Sequence, residues 1–259
     1  ILYELQNGAF KVTAFPAFVL RQKQIRCLIQ DQSGIIWAGG ENGIVTFHPD
    51  SLIKDETAFE SFHFDKSNPH SLNSNIIRAL YEDSQGRIWI GTSGGGLNRA
   101  IKDESGNVVE FKHYTSEEGL TNNIVQAILE DDKECLWIST EYGLSKFKPT
   151  DEIFENYSFS DTWESDLFCE SSALKRKNGE LLFGSHNGMY IINPALFNSD
   201  SLHIPVKLTG LSINGIPMTP NSPDSPFTEN IHNTRRIQLA HNQNSFNIEF
   251  SSLNFKGAY

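Results

Sequence analysis

Short apolar runs recur along the chain, each broken by a turn signal before it reaches helical length. Four stretches share one pattern: IRCLIQDQSGIIWAGGENGIVTF from Ile25, IRALYEDSQGRIWIGTSGGGLNR from Ile77, VQAILEDDKECLWISTEYGLSKF from Val125 and SALKRKNGELLFGSHNGMYII from Ser172. Their anchor position holds Trp37, Trp89, Trp137 and Leu182, at separations of 52, 48 and 45 residues. Apolar residues flank each anchor on both sides: Ile36 and Ala38, Ile88 and Ile90, Leu136 and Ile138, Leu181 and Phe183. Successive strand residues point to opposite faces, so such a run is a strand covered on both faces.

Six residues before the anchor stands Asp31, Asp83 or Asp131, with Arg176 in the last copy, and three before it Gly34, Gly86, Glu134 or Gly179. This spacing predicts a tight turn between two strands, with Asp as its cap and a positive φ at the glycine. Six residues after the anchor come Gly43, Gly95, Gly143 and Gly188, a second turn ahead of a third strand. FESFHF and EFKHYT supply a fourth strand in some copies. The predicted unit is therefore four short antiparallel strands stacked between copies of itself, the burial pattern of a β-propeller blade. No copy carries a 3.6-residue apolar period, and the rungs of a parallel β-helix are about half this length or less.

The glycine cluster GTSGGG is followed by Asn98 and Arg99 in a strand pattern. It lacks the Lys and helix start of a phosphate loop. Composition is that of a globular protein, 38% hydrophobic and 20% charged, and a net charge of -11 spread along the chain disfavours nucleic acid and anionic membrane surfaces. No stretch is apolar enough to span a membrane. Opening at Ile1 and closing on NFKGAY, the chain reads as a segment of something longer. Cys27, Cys135 and Cys169, odd in number and widely spaced, read as small core residues and not as a disulfide or metal set.

The stretches IIRALYEDSQGRIWIGTSGGGLNR and IVQAILEDDKECLWISTEYGLSKF resemble the two-component regulator propeller repeat, and the lead-ins HSLNSN and EGLTNN, ending in Asn75 and Asn123, fit the same family. The resemblance covers about residues 21–194, and the fourth copy departs from it, with Leu182 for Trp and Lys175, Arg176 and Lys177 for the acids. Residues 1–20 read as the last two strands of a further blade, so the expected fold is all-β, about four and a half four-stranded blades forming the C-terminal part of a propeller over residues 1–200. In residues 201–259 the pattern changes: IPVKLTGLSINGIPM and RRIQLAHNQNSFNIEFSSLNF alternate, Asn214 and Gly215 mark a hairpin, and Phe246, Ile248 and Phe250 share one face. This part resembles the start of a Y_Y_Y domain, an immunoglobulin-like sandwich that follows such propellers.

The resemblance implies the extracytoplasmic, periplasmic sensor of an inner-membrane hybrid two-component histidine kinase, acting as a homodimer and binding an oligosaccharide. Its membrane span and kinase would lie outside this chain. In a propeller the loops after the second strand and those leading into the first share one face. Here they carry Glu41, Asn42, Ser93, Glu141, Tyr142, His186 and Asn187 in one set, and Asn73, Asn75, Asn122, Asn123, Asp161 and Trp163 in the other. Amides, acids and exposed aromatics hydrogen-bond and stack on sugars. Trp163, outside the anchor pattern, is the first candidate. No catalytic residue, metal or cofactor is expected: the histidines lack HxH or HExxH spacing, no GxSxG elbow occurs, and Glu41 and Glu141 fall two blades apart, too far to pair in glycoside hydrolysis. Asp31, Asp83 and Asp131 read as turn caps more readily than as calcium ligands. A protein-interaction scaffold, and after it a propeller glycosidase or lyase, are the alternatives.

Overall fold

The computed structural model describes residues 2–6, 9–13, 24–54, 58–158, 167–197, 206–223, 225–231, 234 and 236–252. The chain divides into two compact units, Ile1–Phe197 and Asn198–Tyr259. The first is built from sheets of antiparallel strands in chain order. A hairpin of β1 (Leu2–Gln6) and β2 (Ala9–Thr13) comes first. Blade one is β3 (Ile25–Gln30), β4 (Ile36–Gly40), β5 (Gly43–Phe47) and β6 (Phe59–Phe62), with a short helix α1 (Pro49–Lys54) before β6. Blade two is β7 (Ile77–Glu82), β8 (Ile88–Thr92), β9 (Leu97–Lys102) and β10 (Val108–Tyr114). Blade three is β11 (Val125–Glu130), β12 (Leu136–Thr140), β13 (Leu144–Lys148) and β14 (Ile153–Tyr157). Blade four has three strands among the described residues, β15 (Phe168–Lys175), β16 (Leu181–Ser185) and β17 (Gly188–Ile192), where four were expected. A 3-10 turn at Pro194–Leu196 follows β17, and Asn193 caps it through its side chain.

Register makes the anchors equivalent. Trp37 pairs with Ile29 and Thr46, Trp89 with Tyr81 and Arg99, Trp137 with Leu129 and Lys146, and Leu182 with Leu174 and Ile191. The three indoles are buried, at 1%, 0% and 0% exposure. Each nitrogen donates to the carboxylate six residues earlier: Trp37 to Asp31 at 3.0 Å, Trp89 to Asp83 at 2.7 Å, Trp137 to Asp131 at 2.8 Å. The other carboxylate oxygen accepts amides across the turn, from Ser33 and Ile35, Gln85 and Arg87, and Lys133 and Cys135. One side chain thus caps a hairpin and satisfies a buried donor, and its oxygens are committed to this task.

The second turn departs from the expected spacing in one repeat. The Thr92 amide donates to Gly96 at 3.0 Å where the Thr140 amide donates to Gly143 at 3.0 Å, so the β8–β9 turn is one residue longer. Gly96 at φ 70°, not Gly95, therefore corresponds to Gly43 at φ 83° and Gly143 at φ 86°. A side chain at Gly43 or Gly96 would run into the carbonyl of Phe62 or Tyr114 besides sitting at a positive φ.

The core of this unit is a series of slabs between blades. Trp37, Ile44, Leu72, Ile77, Ile88 and Ile90 fill the first; Trp89, Leu97, Tyr114, Val125, Leu136 and Phe147 the second; Trp137, Leu144, Phe168, Leu181, Phe183 and Ile192 the third. Polar latches cross the same interfaces. Glu82 accepts from the Gln32 amide at 3.1 Å, and Glu130 from the Ser84 amide at 2.8 Å. Blade four reverses the charges at the same place: Lys175 pairs with Asp132 at 2.7 Å. Arg176 turns to Glu180 at 2.6 Å, while the backbone bonds of the turn persist. The basic departures of the fourth repeat are local replacements within the same architecture.

The second unit holds a three-stranded antiparallel sheet, β19 (Ile216–Pro217), β18 (Val206–Ile213) and β20 (Phe246–Ser252) in spatial order. Asn214 at φ 52° and Gly215 at φ 80° make the expected hairpin turn. Leu211, Ile213, Phe227 and Ile231 form its core, and Phe246, Ile248 and Phe250 are exposed. Among the described residues no helix is long and apolar enough to cross a membrane.

Candidate functional site: a polar network at the first strands

The first strands β3, β7, β11 and β15 pack beside one another, and β15 also reaches β7, so they are the innermost strands around the axis. Each carries a register shift near its start: between Ile25 and Cys27, Ile77 and Ala79, Val125 and Ala127, and Phe168 and Ala173. Bulges of this kind re-aim a side chain out of the ladder. The bulged residues are Arg26, Arg78 and Gln126, and in β15 the longer run 169–172. Close packing makes the bulges tight: a side chain at Gly39 would collide with Cys27 and with Ile77 of the next blade, and one at Gly91 with Ala79 and Val125.

Those bulged side chains meet. Arg26 Nη1 lies 3.1 Å from both oxygens of Glu170, and its Nη2 3.0 Å from Glu41. Arg78 Nη1 donates to Gln126 at 2.9 Å and lies 3.6 Å from Glu170. Arg26, Arg78 and Glu170 are each about three-quarters buried, with side-chain exposures of 27%, 26% and 26%. Hydrogen bonds to Glu41 and Glu170 hold the Arg26 guanidinium above its ordinary pKa. Burial pushes the neighbouring Cys27 thiol up to about 12, which leaves it unionised at neutral pH. The three cysteines are free, Cys135 buried and the other two half-buried. Two guanidiniums, two carboxylates and an amide can bind hydroxyls and anions; the cluster pairs no nucleophile with a base. Among the described residues no group of three His, Cys, Asp or Glu side chains could hold a metal ion.

Of the residues singled out by sequence, Glu41 joins this network directly. Asn42 is half-buried beside it. Glu141 and Tyr142 occupy the corresponding turn of blade three, and His186 and Asn187 that of blade four, with Tyr142, His186 and Asn187 exposed. These turns are tied to the strands' approaches by backbone bonds: Ser93 to Ile76 at 2.9 Å, Glu141 to Ile124 at 2.8 Å and His186 to Leu167 at 3.0 Å. Among the described residues these bonds join each turn to the segment leading into a first strand. Asn75 and Asn123 act as inter-blade latches, their carbonyls accepting from Gly43 and from Gly94 and Gly96, and their side chains from the Phe64 and Ser116 amides. Asn73 bonds Asn98 and the Gly95 carbonyl, and Asn122 the Ile124 amide. Asp161 and Trp163 lie outside the described residues. Sequence reasoning missed Arg26, Arg78, Gln126 and Glu170. For the first three, the available signal was a polar residue recurring second in otherwise apolar first strands.

Residues 71–94 and 119–142, the anchor halves of blades two and three, match the family described as two component regulator propeller. Over 239 residues the chain is 26% identical to histidine kinase P4 of Formosa agariphila, covering 92% of this chain and 17% of that protein. The extracellular domain assigned to a hybrid two component system of B. thetaiotaomicron is 23% identical, covering 88% of this chain and 35% of that one, with a TM-score of 0.47. PorZ of Porphyromonas gingivalis, a surface component of the type-IX secretion system, shares the fold at a TM-score of 0.53 and 16% identity, over 80% of this chain and 30% of that one. The chain thus spans well under half of each of these relatives, carries two stretches that match the two component regulator propeller family, and is similar to a histidine kinase and to the extracellular domain of a hybrid two-component system.

Proposed function

We propose that this chain is part of the extracytoplasmic, periplasmic ligand-sensing region of a membrane-bound hybrid two-component histidine kinase, and that its propeller binds an oligosaccharide. The observation that carries this reading is the match of two successive blades to the regulator propeller repeat, on the scaffold that gathers Arg26, Arg78, Gln126 and Glu170 from the first strands with Glu41 from the β4–β5 turn. A cluster rich in fixed donors and acceptors suits sugar hydroxyls, and the rim side chains Glu141, Tyr142, His186 and Asn187 extend it; Asp161 and Trp163 belong to the same proposed site. The second unit, as the start of a Y_Y_Y sandwich, passes the change to a membrane helix in a homodimer. The ligand shifts signalling only by preferring one dimer arrangement over the other. No catalytic step is part of this reading. Calorimetry of the complete sensor region against a panel of oligosaccharides tests it: one sugar should bind, and Glu41→Gln and Trp163→Ala should each weaken that binding. If no carbohydrate binds the complete region, the protein-scaffold alternative replaces it.

A further inference from the structure

We propose that Arg26 and Arg78 form an anion-binding pair which Glu170 occupies as an internal carboxylate, and that the sugar recognised there carries a carboxylate or sulfate group. This deepens the oligosaccharide reading above and rests on it. Two guanidiniums brought together from adjacent first strands repel unless an anion lies between them. Glu170 is that anion, yet it serves the pair unevenly. Arg26 donates hydrogen bonds to it at 3.1 Å, whereas the 3.6 Å to Arg78 is an ion pair too long for one. The Nε atoms of both arginines are buried without a hydrogen-bond partner among the described residues. Each planar guanidinium therefore keeps an unused Nε donor for bidentate binding. Buried donors left unmet favour any group that satisfies them.

The residue that fills the gap also sits on the least regular first strand. Its register breaks from Phe168 to Ala173, and Ser171, next to Glu170, has a φ of 56°, a left-handed conformation costly for a non-glycine residue. Moving this run out would release the strain and vacate the pair. A carboxylate or sulfate on a sugar would then take the place of the Glu170 carboxylate, with no covalent change, while Gln126 and Glu41 meet neighbouring hydroxyls.

The probes are sodium glucuronate, glucose 6-sulfate and glucose, measured by calorimetry at constant ionic strength against the wild-type chain and the E170Q variant. Glu170→Gln keeps the side-chain shape and removes the competing charge. E170Q should bind one or both anionic sugars at least about tenfold tighter than the wild type does, with no gain for glucose. Adding Arg78→Gln should abolish the gain. If E170Q fails to fold, titration of the wild type with glucuronate and glucose 6-sulfate is followed through the Nε–H resonances of Arg26 and Arg78. A shift specific to either anionic sugar supports the pair, and resonances that stay fixed overturn it. An equal gain for glucose removes the anionic class and leaves the oligosaccharide reading standing. No gain for either anionic sugar removes the pair as a site, and the panel on the complete sensor region then decides the broader reading by itself.

Discussion

Each buried indole has a hydrogen-bond partner in the aspartate six residues upstream, which also caps the hairpin leading to it. A basic neighbour lies over each ring too, Lys102 over Trp37, Arg99 over Trp89 and Lys146 over Trp137. The clamp is a unit. Leu182 has no side-chain N–H to satisfy, and the same repeat has Arg176 in place of the aspartate. Asp131→Ala leaves the Trp137 nitrogen and two amides unpaired and is expected to cost about 2 to 4 kcal/mol. Trp137→Phe removes the donor, so a double-mutant cycle by urea unfolding should show a coupling of about 1 to 2 kcal/mol. Additive effects would show that the bond contributes nothing. Acid weakens the clamp at Asp31. Burial alone would raise the Asp31 carboxyl, but hydrogen bonds from Ser33, Trp37, Lys102 and the Ile35 amide outweigh it and hold it down at about 2. An unfolded aspartate titrates near 3.9, so the folded state binds this proton less readily, and Asp31 adds about 2 kcal/mol that is complete above about pH 5. That contribution should disappear as pH falls from about 4 to about 2. In Asp31→Asn, stability is lower at neutral pH and this part of the acid slope is missing.

At the scale of strands and turns, Glu134 occupies the position that Gly34, Gly86 and Gly179 hold in the other repeats, and at φ 61° it adopts the same left-handed conformation. Glu134→Gly should raise the denaturation midpoint by an amount worth about 0.5 to 1 kcal/mol, because the steric cost of the Cβ exceeds the added freedom of the unfolded chain. Its exposed bond to Gln85 offsets little. An unchanged or lower midpoint would mean that this turn carries no strain. Such turns, and the strands between them, were legible in sequence because each signal is local: a cap, a glycine and an apolar run covered on both faces. Triple glycine 94–96 hid the extra residue of its turn, since three identical residues offer no phase. The latches from Glu82, Glu130 and Lys175 join residues 43 to 50 positions apart, and only stacked blades bring them together. Arg26 and Arg78 left only the recurrence of a polar second residue in the first strands, and nothing local says that a bulge re-aims that residue.

For the propeller unit as a whole, stability is distributed along a row of interfaces, and each blade draws on its neighbours. Blades two and three are packed on both faces by slabs containing Trp37, Trp89 and Trp137. Blade one exposes Leu28 at 62%, and blade four exposes Leu174 at 60% and Ile191 at 56%, on the register row that in blade three is Leu129, Trp137 and Lys146. Blade four also has a leucine anchor in place of a buried indole and its aspartate. With fewer buried contacts, it can open without dismantling the slabs on either side of blade two. Native-state hydrogen exchange of this chain should therefore give a gradient. The amides of Ile90 and Ile138 should exchange only through opening near the global free energy, and those of Leu182 and Tyr190 through openings lower by about 2 kcal/mol or more. Trp89→Ala, which empties a site in the middle slab, should lower the global value by about 3 to 5 kcal/mol and bring the fast and slow classes together. Uniform exchange across the four blades in the unmutated chain would instead mean that the slabs open as one cooperative core, and the blade-by-blade account of its stability would be wrong.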